Sequence, residues 1–185
     1  MKTALAILRG INVSGQKKVP MSELKCLFEG LNCQQVKTYI QSGNVVFTHS
    51  AADEEQLARQ IEKKITETFG FQVPVLTRSL SELADIVAQN PFLQEDNTEV
   101  DKLHITFLSD TPDPSNGDKI KDLLSGADRF VLSGKEIYVY CPGGYGNTKL
   151  SNTFFENKLK VTATTRNWKT VNELLKMMQS LNPGQ

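Results

Sequence analysis

YIQSGNVVF at positions 39–47 and FVLSGKEIY at positions 130–138 are two versions of one β-hairpin, each an apolar run, a Ser-Gly turn and a second apolar run. Downstream of each comes a second shared landmark, Thr-Arg, in VPVLTRSL at 73–80 and in VTATTRNW at 161–168. Two landmarks in one order, at offsets of 91 and 88 residues, point to a single αβ unit present twice, with Ser42-Gly43 equivalent to Ser133-Gly134.

Outward from the first hairpin, residues 4–8 read as a short buried strand, and RGINVSGQKK at 9–18 as a polar loop. Pro20 opens a helix on which Met21, Leu24, Leu27, Phe28 and Leu31 recur at helical spacing. Strands at 36–40 and 45–47 meet across Ser42-Gly43-Asn44, with Gly-Asn expected to supply the positive φ angles of a tight turn. Leu57, Ile61, Ile65 and Phe69 then mark a long amphipathic helix, 73–76 a fourth strand, and Ser79 the cap of a further helix. The second half repeats the order: a strand at 104–108, a helix through Ile120, Leu123 and Leu124, the second hairpin, a helix through Phe154, Phe155 and Leu159, a strand at 161–164 and a helix from Asn167 to about Met178.

Each half is thus β-α-β-β-α-β with a trailing helix. The fold class expected is α+β: duplicated ferredoxin-like (split βαβ) halves, antiparallel sheets with helices on one face. Residues 1–90 form the first half, 91–100 a polar, acidic linker and 101–185 the second half.

Charge excludes a protein that coats nucleic acid by net charge, since 21 basic residues balance 21 acidic ones. The distribution is uneven. Residues 1–50 and 149–185 each carry six Lys/Arg against two acids, while 51–148 carry nine against seventeen. If the ends converge, they make a positive face. The five apolar residues before Arg9 are too few for a secretory signal, and no apolar run has membrane-spanning length, so no membrane association is expected. Cys26, Cys33 and Cys141 match neither a disulfide framework nor a zinc ribbon, which suits a reducing cytoplasm.

Three loops hold the candidate site. In 9–18, Gly10 and Gly15 have the spacing of a phosphate-binding loop, yet Gln16 stands where its lysine belongs and no Ser or Thr follows; an anion-binding loop with Arg9, Asn12, Lys17 and Lys18, or a plain connection, remains. CPGGYGNTKLSN at 141–152 is longer than its first-half counterpart and brings Lys149 and Ser151, Ser151 being equally a helix cap. TATTRNWKTV at 162–171 brings Arg166, as an anion contact or a structural residue, and Asn167, as a ligand contact or a cap. Only two histidines, His49 and His104, are present, neither at a ligand spacing, so no metal and no cofactor are expected.

LRGINVSGQKKVPMSELK, TYIQSGNVVF and TATTRNWKTVNEL together resemble the hallmark segments of a widespread bacterial family, domain of unknown function 1697, from Leu8 to about Leu175. The resemblance implies two ferredoxin-like halves and no known activity. Where the family's first loop usually reads RGINVGG, this chain has Ser14 in place of the first of those glycines.

The function expected is a cytoplasmic binding protein for an anionic ligand, a nucleotide or nucleic-acid strand, with Tyr39, Phe47, Phe130, Tyr138 and Tyr140 available on strands for base stacking. The alternatives are an enzyme acting on a small metabolite in the cleft between the halves, lined by the same polar loop residues, or an interaction module without a small ligand. No protein partner is named by the sequence.

Overall fold

A computed structural model describes residues 1–121, 123 and 126–182. Its strands form two four-stranded antiparallel sheets of the same order, β2-β3-β1-β4 and β6-β7-β5-β8. Leu124, expected on a helix, lies outside the described residues.

In the first half, β1 (Lys2–Leu8) is followed by α1 (Met21–Gly30), β2 (Gln34–Tyr39), β3 (Asn44–His49), α2 (Glu54–Phe69), β4 (Val75–Ser79) and α3 (Leu80–Ala88). Of the apolar stripes expected on α1 and α2, Leu24, Leu27 and Phe28 are buried on one and Leu57, Ile61 and Ile65 on the other, with Met21, Leu31 and Phe69 partly buried against the same core. They pack with Ala4, Ala6, Leu8, Val45 and Phe47 in one core. Each such side chain removed from water contributes about 1.5–3 kcal/mol. The ends of α2 are set locally, by the Asp53 carboxylate accepting from the Glu55 and Gln56 amides and by Gly70 at φ 78°. Leu5, Ile7, Val46 and Leu76, of opposite parity on their strands, are buried too, so both faces of the sheet are covered.

The second half repeats this as β5 (Leu103–Leu108), α4 (Pro114–Lys121), β6 (Arg129–Ser133), β7 (Glu136–Tyr140), α5 (Asn152–Leu159), β8 (Ala163–Asn167) and α6 (Trp168–Ser180). Leu108, Ile120, Ile137, Val139, Phe155 and Leu159 form its core.

Two local expectations are corrected. The first hairpin closes at Tyr39 opposite Asn44, leaving a four-residue turn whose left-handed residues are Ile40 and Gly43. Asn44 pairs with Ile7 and so belongs to the ladder. The second closes at Ser133 opposite Glu136, a two-residue turn. Consequently Gly43, whose carbonyl accepts from Leu8 N–H, corresponds to Lys135, whose carbonyl accepts from Leu108 N–H, one residue beyond the Ser-Gly match. The second correction concerns Thr-Arg, which lies inside β4 and β8. Pairing with β1 and β5 runs from Leu8 opposite Val75 to Ala4 opposite Ser79, and from Leu108 opposite Ala163 to His104 opposite Asn167.

By packing, the chain divides within its trailing helices. One unit comprises Met1–Asp85 with Glu173–Gln185, the other Ile86–Asn172. Residues 91–100, read from sequence as a connection, pack within the second unit: Phe92 is buried against Tyr140, and Arg129 lies over both rings while its guanidinium grips Glu95 at 2.7 and 3.0 Å.

Candidate functional site

The loop from Arg9 to Pro20 joins β1 to α1, and five of its residues adopt left-handed φ: Gly10, Asn12, Ser14, Gly15 and Lys17. Asn12, a residue that tolerates this region, organises the loop. Its side-chain amide donates to the Val19 carbonyl at 3.0 Å and to the Gln41 carbonyl at 2.8 Å, and its Oδ1 accepts from Val19 N–H at 2.8 Å. Asn12 N–H donates to Lys17 O, and Gln16 N–H to Val13 O, folding 12–17 into a miniature hairpin. Residues 13–18 are all exposed.

The bond to Gln41 ties this loop to the β2–β3 turn, and Gly43 presses the two together. A Cβ on Gly43 would lie 2.7 Å from Leu8 Cβ and 2.9 Å from Ile11 Cδ1. In the same turn Ile40 takes φ 50° with 52% of its surface exposed, and across the tie Val13 is 59% exposed. A β-branched residue in the left-handed region costs about 1–2 kcal/mol relative to a residue suited to it.

Of the first-unit candidates, Arg9, Asn12, Lys17 and Lys18 share this loop. Asn12 is spent on bracing, and Lys17 Nζ donates to Gln72 O at 2.8 Å. Gln72 in turn lines a groove of about 360 Å³ with Arg59, Glu62, Lys63 and Thr66. Lys18 is exposed and Arg9 half-buried.

The second-unit candidates are held by internal bonds, apart from exposed Lys149. Ser151 Oγ accepts from Phe154 N–H and caps α5, and Asn167 Oδ1 accepts from Thr170 N–H at the start of α6. Arg166 is 9% exposed, donates to Thr164 Oγ1 at 2.8 Å and Thr165 O at 2.9 Å, and is pulled by burial down to about 10, still charged at neutral pH. Three features escaped the sequence reading. Tyr145 stacks on His104 at 4.6 Å, and a hydroxyl chain joins Thr106, Thr165 and Asn152 at 2.7 Å steps. His49 is buried beside Phe47 with neither ring nitrogen hydrogen-bonded, Glu54 lying 4.0 Å from Nε2. No spacing rule marks a lone buried histidine or a stack made by a folded-back loop.

Of the strand aromatics, Phe47, Tyr138 and Tyr140 are buried, and Tyr138 Oη donates to Ile86 O. Among the described residues no group of three or more His, Cys, Asp or Glu is placed to hold a metal ion, and no helix is long and apolar enough to cross a membrane.

The braced loop and the turn it grips lie within residues 1–138, the span matched by the sequence model of a family described as protein of unknown function, DUF1697. The chain belongs to the DUF1697 family. TATTRNWKTVNEL, the third DUF1697-like segment, lies beyond the matched span. Among solved structures, the conserved bacterial protein SP0830 from Streptococcus pneumoniae is similar at 23% identity and a TM-score of 0.75, over 96% of this chain and 98% of that one, a likeness of fold. No curated protein matches this DUF1697 sequence.

Proposed function

We propose that this DUF1697 protein binds an anionic ligand, a nucleotide or nucleic-acid strand, through the loop that follows β1. The observation that carries the reading is the bracing of that loop by Asn12, which fixes an exposed, repeatedly left-handed backbone with Lys17 and Lys18 on it. Successive amides in such a conformation form a concavity that favours negative charge, and lysines beside it add to the field. Lys17 keeps further N–H donors beyond the one given to Gln72. Three free cysteines support action in a reducing cytoplasm.

The test is titration of adenosine triphosphate and short single-stranded oligonucleotides at low and moderate salt, comparing wild type with the Lys17→Gln/Lys18→Gln double variant and with Lys149→Gln. Binding should weaken with salt, because exposed charges are screened. It should fall about tenfold in the double variant, equivalent to about 1.4 kcal/mol. Equal binding by wild type and the double variant, or none by either, sinks the reading. A loss confined to Lys149→Gln would move the site to the second unit.

A further inference from the structure

We infer that the surface made by the β1–α1 loop and the β2–β3 turn docks an acidic polypeptide segment bearing aliphatic side chains, with Val13 and Ile40 as apolar contacts and Lys17 and Lys18 as charge contacts. The inference goes beyond the anion-binding reading: it shares the lysine-bearing loop with that reading and puts a polypeptide where that reading puts a nucleotide or strand.

The left-handed region suits Gly and Asn and suits a β-branched residue least. Among the described non-glycine residues with positive φ, Ile40 alone is β-branched. It accepts the strained backbone and leaves half its surface in water, so packing within the chain offsets little of the strain. Scattered exposed aliphatics are ordinary. This one is not scattered. Val13, more exposed still, stands on the neighbouring loop, and the two loops are locked by the Asn12-to-Gln41 bond and by the contact of Gly43 with Leu8 and Ile11. A surface already rigid loses little conformational entropy when a partner arrives.

Charge and side-chain type then select the occupant. Residues 1–50 carry six basic side chains against two acids, Glu23 and Glu29, both on α1; the loop and the turn carry none. A partner segment therefore needs Asp or Glu. Single-stranded nucleic acid would meet the charge, but its bases stack on exposed aromatic or guanidinium planes. The side chains most exposed here are aliphatic, Val13 and Ile40, while Phe47, Tyr138 and Tyr140 are buried and Tyr39 and Arg9 are half-buried. Aliphatic contacts beside lysines fit a peptide that carries Leu, Ile or Val among carboxylates.

The experiment is a random-peptide display library panned on the wild-type protein, with Ile40→Asn as the subtracting bait. Synthetic copies of the enriched peptides and an oligothymidylate are then titrated against wild type, Ile40→Asn, Val13→Ser and Lys17→Gln/Lys18→Gln. Asn suits the backbone at 40, so Ile40→Asn stays folded, and its urea midpoint verifies that. The expected result is enrichment of peptides combining Asp or Glu with Leu, Ile or Val, which bind wild type about tenfold more tightly than each variant. Enriched peptides lacking either residue type, or binding Ile40→Asn and Val13→Ser as well as wild type, overturn the inference and leave the anion reading standing. Oligothymidylate lost in the lysine variant but kept in Ile40→Asn overturns it in favour of nucleic acid. Failure of every probe to bind overturns both.

Discussion

Arg78 stands opposite Leu5 in the first sheet where Arg166 stands opposite Ile105 in the second, and each donates through NH1 to the carbonyl of the threonine before it, Thr77 at 2.8 Å and Thr165 at 2.9 Å. Both side chains are buried, at 3% and 9% exposure. The Thr-Arg pair seen twice in the sequence is therefore one structural device used at one register position of two like sheets.

Replacing either arginine by alanine should lower stability by about 2–3 kcal/mol, because the acceptors it satisfies stay buried and the volume it fills is lost. Lysine should restore only part of this, since it lacks the planar fork. Urea denaturation of the four single variants is the measurement. Unchanged midpoints for both alanine variants would sink the shared structural role.

Gly43 and Gly134 each belong to a hairpin turn and each has positive φ, yet their surroundings differ. A Cβ at Gly134 meets nothing within 4 Å, so Gly134→Ala should cost only the left-handed backbone term, about 1 kcal/mol. Gly43→Ala adds the clash with Leu8 and Ile11, for a total of roughly 2–4 kcal/mol. Thermal melts of the two variants decide it. Equal losses would mean that the loop after β1 is not clamped by the turn.

Burial holds the His49 imidazole below the usual histidine range; Glu54 pulls the other way, while Lys2 and the N-terminal amine add to the depression. As pH falls, the unfolded chain then takes up its proton before the folded one does. The contribution of His49 to stability is whole above an unfolded pKa of about 6.5 and is lost as pH drops through that value toward the folded one. Urea midpoints at about pH 7.5 and about pH 5 should fall more for wild type than for His49→Leu. Parallel declines would assign the acid sensitivity to other groups.

How much of this was legible in advance depended on whether a residue's role is set locally. Leu57, Ile61 and Ile65 declare a buried helix face by their spacing, and Pro20 and Ser79 declare helix starts, so element order and sheet topology could be read. Strand limits could not. Thr77, Arg78, Thr165 and Arg166 look like junction residues, and only pairing with β1 and β5 draws them into the ladder. The Ser-Gly match slipped by one residue because two turns of different length carry the same dipeptide. For the site, polarity singled out Ser151, Asn167 and Asn12, but their side chains serve capping and bracing, uses that draw on the same atoms as ligand binding. Ile40 drew no attention, since an aliphatic residue near a strand end looks like core until its φ is known.

The division of the chain bears on its synthesis. The second unit, Ile86–Asn172, is an unbroken stretch, whereas the first is assembled from Met1–Asp85 and a segment beginning at Glu173. On the ribosome, which delivers the chain from its amino end, the second unit has every residue it needs while the first still lacks its closing piece. The half translated first is thus the half whose last residues are delivered last.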